Sequence, residues 1–147
     1  MKRVVIFVIA MLAALVATTP IVRAADDGMI AGAGAGAFPA GAVFAGIPLT
    51  GLEFGQAVLT AADGSAAGAF HAVLQGASLV SVDGAVATGG VAGVATFAGT
   101  ATVTVGGGVP VAGVPFQVAL TTDGVQLTLD GTLLPAVTVS PGAIAIE

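Results

Sequence analysis

From Val94 to Val105 the chain alternates with a period of two: Ala95, Phe97, Gly99, Ala101, Val103 and Val105 fall on one face, and Val94, Thr96, Ala98, Thr100, Thr102 and Thr104 on the other. An α-helix would scatter both sets around its circumference, so this stretch can bury one face only as a strand. Two later segments repeat the pattern: Phe116, Val118 and Leu120 against Gln117 and Thr121, then Val125, Leu127 and Leu129 against Gln126, Thr128 and Asp130. Ile144 and Ile146 close the chain in the same phase. This is the alternation of antiparallel strands with one face packed and one wet.

Turn signals separate these runs. Asp63-Gly64, Asp83-Gly84, Asp123-Gly124 and Asp130-Gly131 are pairs that favour tight type I′ hairpins, and Gly89-Gly90, Gly106-Gly107-Gly108 and Pro141-Gly142 add further breaks. The strands expected between them are 52–60, 67–75, 79–82, 85–88, 93–105, 114–121, 125–129, 135–139 and 143–146, and nothing sustains a 3.6-residue period. The pattern predicts an all-β domain over 49–147, a single antiparallel β-sandwich or a small β-barrel of about eight or nine strands.

The amino-terminal end reads differently. Lys2 and Arg3, an apolar run from Val4 to Ala17, the helix-stopping Thr18-Thr19-Pro20 and a cleavage site ending at Ala24 make residues 1–24 a secretory signal peptide. The apolar run holds 14 residues, whereas spanning a bilayer takes about 20. Removal and secretion to the extracellular side are therefore expected, with no membrane partner afterwards.

Cleavage would take away every lysine and arginine, Lys2, Arg3 and Arg23, and leave all eight carboxylates: Asp26, Asp27, Glu53, Asp63, Asp83, Asp123, Asp130 and Glu147. A surface of charge −8 with no cation cannot grip phosphate, which excludes nucleic acid and anionic lipid. With no cysteine in the chain, stability must come from packing and backbone hydrogen bonds rather than disulfides.

Residues 25–48 carry the alternating tract Ala31-Gly32-Ala33-Gly34-Ala35-Gly36-Ala37 and then Pro39, Gly41, Gly46 and Pro48, a composition that predicts a flexible or partly extended leader. The sharper alternative is that Gly-Ala alternation lets sheets approach closely, as in silk. Pro110, Pro115 and Pro135 are expected at strand starts or edges, where they and the negative charge would replace lysine as guards against edge pairing.

Few residues can carry chemistry. His71 is the only histidine; with Ser65 or Ser81 and Asp63 or Asp83 it would supply the parts of a hydrolase triad, though no nucleophile-elbow motif accompanies it. Asp27, Asp63, Asp83, Asp123 and Asp130 each precede a glycine, so turn geometry already accounts for them. Glu53 with an aspartate could form a glycosidase-like pair, but no Trp or Tyr is present to stack on a sugar. Asp123 and Asp130 are the candidates for calcium if their turns converge; one histidine and no cysteine argue against zinc or copper. The row Thr100, Thr102, Thr104 resembles ice-binding surfaces, yet threonine is favoured on the wet face of any strand.

The segment from Phe54 to Val118 resembles small all-β modules of unknown function in secreted bacterial proteins, through Phe54-Gly55, Gly68-Ala69-Phe70, Ala95 to Ala101 and Pro115-Phe116-Gln117-Val118. The resemblance implies a fold and assigns no catalytic residue. The expected function is a non-catalytic extracellular structural, surface or protein-interaction module, with no cofactor. The alternative is a small barrel holding an apolar ligand, and the enzyme alternative centres on His71.

Overall fold

The computed structural model describes residues 27–91 and 94–147. The expected signal peptide lies outside the described residues. The elements are β1 (Gly28–Ala37), β2 (Val43–Phe44), β3 (Ile47–Thr60), β4 (Ser65–Gly76), β5 (Val80–Gly90), β6 (Ala95–Val105), β7 (Val111–Leu120), β8 (Gly124–Leu129), β9 (Thr132–Leu133), β10 (Val137–Thr138) and β11 (Gly142–Ile146). All are strands, so the described fold is all-β.

The strands form one antiparallel sheet in the order β10-β8-β7-β6-β5-β4-β3-β1-β11, with β2 on β3 and β9 on β8. From β3 to β8 it is a meander of sequence neighbours, and the sheet curls into a half-barrel. Residues 137–147 touch both of its ends. Val137 and Thr138 pair with Val125 and Gly124 of β8, and the Val139 amide donates to the Asp123 carbonyl at 2.9 Å. On the other side the Ser140 amide donates to the Ala35 carbonyl at 2.7 Å, and β11 runs along β1 with Gly32 opposite Ile144.

The Gly-Ala tract is therefore not a leader: it is β1, paired along its length with β3 and also with β11. Its alanines face outward and its glycines inward, and the inward side is where the carboxy-terminal segment approaches. A Cβ on Gly32 would collide with the backbone of Ala143 and Ile144, and one on Gly36 with Val137 and Thr138. Gly68 and Gly99 do the same for β4 against β3 and β6 against β5, where an added Cβ would meet the carbonyls of Ala57 and Ala85. Glycines at such points let a sheet bend sharply enough to curl.

The core lies on the concave face. All six phenylalanines after position 24 are buried. Phe70, Phe97 and Phe116 form its centre, with ring centroids 5.6 Å apart for Phe70–Phe116 and 5.7 Å for Phe70–Phe97. This cluster corrects the reading of Asp83-Gly84 as a turn. The expected strands 79–82 and 85–88 are one strand, β5, and Gly84 lies mid-strand because the Phe116 ring stands 2.6 Å from where a Cβ would be. Pro115 is likewise inside β7 rather than at its start. Its carbonyl accepts from the Asp130 amide at 2.9 Å, and N and O of one strand residue face the same side. The donor that proline lacks is thus on the side where β8 has just ended.

On the convex face one register row reads Ala145, Ala31, Ala57, Ala69 and Ala85 across β11, β1, β3, β4 and β5. The row beside it contains Ala33, Gly55, His71, Asp83 and Thr102. That wall has low relief and carries the His71 and Asp83 side chains.

Candidate functional site

The register of β4 on β5 sets His71 opposite Asp83, and the two side chains meet at 2.6 Å between Nδ1 and Oδ1. Both are more than half exposed on the convex wall, where an ion pair contributes at most about 1 kcal/mol. The carboxylate and histidine of the expected triad are thus brought together. The serines are not: Ser81 faces Val73 and Thr104 in the register, and the Ser65 hydroxyl donates to Asp63 at 2.5 Å in the β3–β4 turn. Asp63 also accepts the Ser65 amide at 2.9 Å. These bonds, the side-chain one first, hold its pKa below the ordinary aspartate value. Glu53 accepts from Gln75 at 2.7 Å on the same wall.

The calcium candidates stand apart. Asp123 precedes β8 and Asp130 follows it, and a six-residue strand holds its ends about 20 Å apart, so the two cannot share an ion. Asp123 instead accepts from the Thr121 hydroxyl at 3.0 Å. Asp130 and Gly131, with φ of 50° and 78°, make the two-residue type I′ turn expected of Asp-Gly. Thr100, Thr102 and Thr104 do line up outward on β6, but the facing β5 residues are Ala85, Asp83 and Ser81, not a second threonine row.

A feature not singled out in the sequence emerges from the topology. In a meander alternate turns lie at the same end of the sheet. One end carries the β3–β4, β5–β6 and β7–β8 turns together with Gly28 and Glu147, and so gathers Asp27, Asp63, Asp123 and Glu147; the Asp27 carboxylate accepts the Ala62 amide there at 3.0 Å. The other end carries the β4–β5, β6–β7 and β8–β9 turns, and its one turn carboxylate is Asp130.

Large apolar side chains are exposed at both ends, Met29, Leu59 and Val94 at the acidic one and a larger group at the second. Val109 is 84% exposed, and Val111, Leu79, Val43 and Val105 lie between 39% and 57%. The Gly106 amide donates to the Leu79 carbonyl at 2.7 Å, tying the two turns together. Between them and the β2 hairpin lies an open cleft of about 340 Å³, lined by Phe44, Val103, Val105, Val109, Val111 and Asp130. Turns are ordinarily polar, so Gly106 to Val111, with no polar side chain among six residues, was the available sequence signal. A smaller cleft of about 190 Å³ opens at the other end beside Val94, Thr121 and Gln126.

One polar side chain sits where the pattern calls for an apolar one. Gln56 lies on the concave face of β3 between Gly32 and Phe70, is 7% exposed, and has no hydrogen-bond partner on either amide atom. Thr60, further along the same face, is buried with its hydroxyl unpaired. Comparison of the chain with protein families, with curated proteins and with solved structures returned no match.

Proposed function

We propose that this chain is a secreted, non-catalytic binding module: an eight-stranded up-and-down barrel that takes up apolar groups at the end whose one turn carboxylate is Asp130. Support for closure comes from residues 137–147, whose hydrogen bonds to both β8 and β1 leave those strands no free edge. Counting residues 137–147 as one bent strand, and β1 and β3 to β8 as the others, gives the eight strands of a small closed barrel. The centre is occupied by Phe70, Phe97 and Phe116, which moves any ligand from the interior to the mouth.

The observation that carries the reading is the division of chemistry between the ends. Four carboxylates collect at one, and the exposed valines with their cleft form the other. Titration with a neutral solvatochromic dye such as Nile red tests it. Binding should occur in the wild type and fall about tenfold or more in Val105→Asp, where a charge enters the cleft wall. Equal binding by both proteins would sink the assignment. Secretion has its own check, since processed protein has no tryptic site and trypsin should leave residues 25–147 at full mass.

A further inference from the structure

We infer that the partner of the apolar end is an uncharged lipid surface, into which the loop around Val109 inserts; this rests on the binding reading above. Val109 follows three glycines and precedes Pro110, and at 84% exposed it projects beyond the cleft rather than lining it alone. A small molecule held in the cleft would cover only the side of Val109 that lines it and leave the rest in water, whereas a lipid surface covers the loop and the cleft together. Affinity for the boundary of headgroups and acyl chains scales with the apolar area buried there, so the loop and the cleft residues contribute together.

The charges set the kind of lipid and the orientation. Anionic headgroups are captured by lysine and arginine, and the described residues contain neither. A neutral surface needs no cation, so the lack of lysine and arginine does not bar it, and a peripheral contact of this kind departs from the expectation of no membrane partner. Strands of about ten residues at about 3.3 Å per residue, tilted by about 40°, separate the acidic end from the apolar one by roughly 25 Å. That is about three screening lengths in physiological salt, so Asp27, Asp63, Asp123 and Glu147 stay in water while the valines enter. Asp130 is the opposing charge at the inserting end. It also disfavours a second copy as occupant, because an end-to-end pair would bring two Asp130 carboxylates together across an apolar seam.

Vesicle flotation with the full protein provides the test. Phosphatidylcholine vesicles should carry the wild type, Val109→Asp should bind about tenfold less or worse, and Asp130→Asn, which keeps the left-handed turn residue tolerated, should bind several-fold more tightly. Adding phosphatidylglycerol at low salt should weaken binding. Val109 is nearly fully exposed, so its variant folds, which circular dichroism verifies. If the dye binds but vesicles do not, the lipid inference fails and the binding reading stands. If neither binds, both fail. Vesicle binding untouched by Val109→Asp, or a concentration-dependent dimer that Val109→Asp dissolves in the absence of vesicle binding, overturns the inference.

Discussion

Gln56 offers the sharpest test of how the core is built. Its amide is buried in the inner row between Gly32 and Phe70, and neither Nε2 nor Oε1 has a partner. A buried polar atom left unsatisfied costs about 1–3 kcal/mol, whereas an apolar replacement of the same shape removes that cost. Methionine is such a replacement, unbranched and adaptable, so Gln56→Met should stabilise by about 1–3 kcal/mol. For roughly 120 folded residues the unfolding entropy is about 250 cal/mol/K, which makes 1 kcal/mol worth about 4 °C. The expected rise in Tm is therefore about 4–12 °C by calorimetry, with a higher urea midpoint at unchanged slope. Gln56→Glu should do the reverse by several kcal/mol, since it buries a charge without a partner. A loss of about 1 kcal/mol or more in Gln56→Met would refute the reasoning. It would mean that the amide is hydrogen-bonded in solution, to water or to a polar guest inside the curl.

Three further outcomes follow from the same packing. Phe70→Ala should cost about 3–5 kcal/mol in chemical denaturation, because Phe97 and Phe116 both rest on that ring; a cost near zero would deny the aromatic centre. Gly84→Val should cost about 1–3 kcal/mol, and in a double-mutant cycle Phe116→Leu should recover part of it, whereas additive effects would show that the two positions do not touch. In acid, the depressed pKa of Asp63 means its contribution is complete above the unfolded aspartate value near 4 and is lost as pH falls through the lower folded value. Ser65→Ala should thus melt below wild type at pH 7, and the deficit should shrink as pH falls below about 4; a deficit of unchanged size in acid would assign the effect to something other than the Asp63 carboxylate.

The outline of the sheet is legible in the alternation itself. Expected segments at 52–60, 67–75, 93–105, 114–121 and 125–129 fall within or nearly on β3, β4, β6, β7 and β8, because each must present one apolar face to a single core. The amino-terminal strand was not legible. Apart from Ile30, its inward positions are glycine rather than valine or leucine, so the signal that marks a buried strand face is absent where backbone from 137–147 takes the place of side chains. The His71–Asp83 pair was open among several combinations until the register of β4 on β5 selected one. Curling against stacking into two layers depends on Gly32, Gly68 and Gly99 meeting specific neighbours, a long-range property that no local window contains.

Two Asp-Gly pairs show why local signals divide as they do. Asp130-Gly131 and Asp83-Gly84 are chemically identical, yet the first is a left-handed turn and the second passes straight through a strand. What differs is across the sheet: Phe116 needs the space over Gly84, and His71 faces Asp83. Turn propensity of this kind is worth little against burial of an aromatic ring, about 1.5–3 kcal/mol, so tertiary packing wins. The functional asymmetry is hidden in the same way. Read in order, the carboxylate-bearing turns are β3–β4, β7–β8 and β8–β9, and only folding as a meander sets the first two at one end with Asp27 and Glu147. Charge in such a chain has to be summed over alternate turns, and that sum separates Asp27, Asp63 and Asp123 from the apolar loop around Val109.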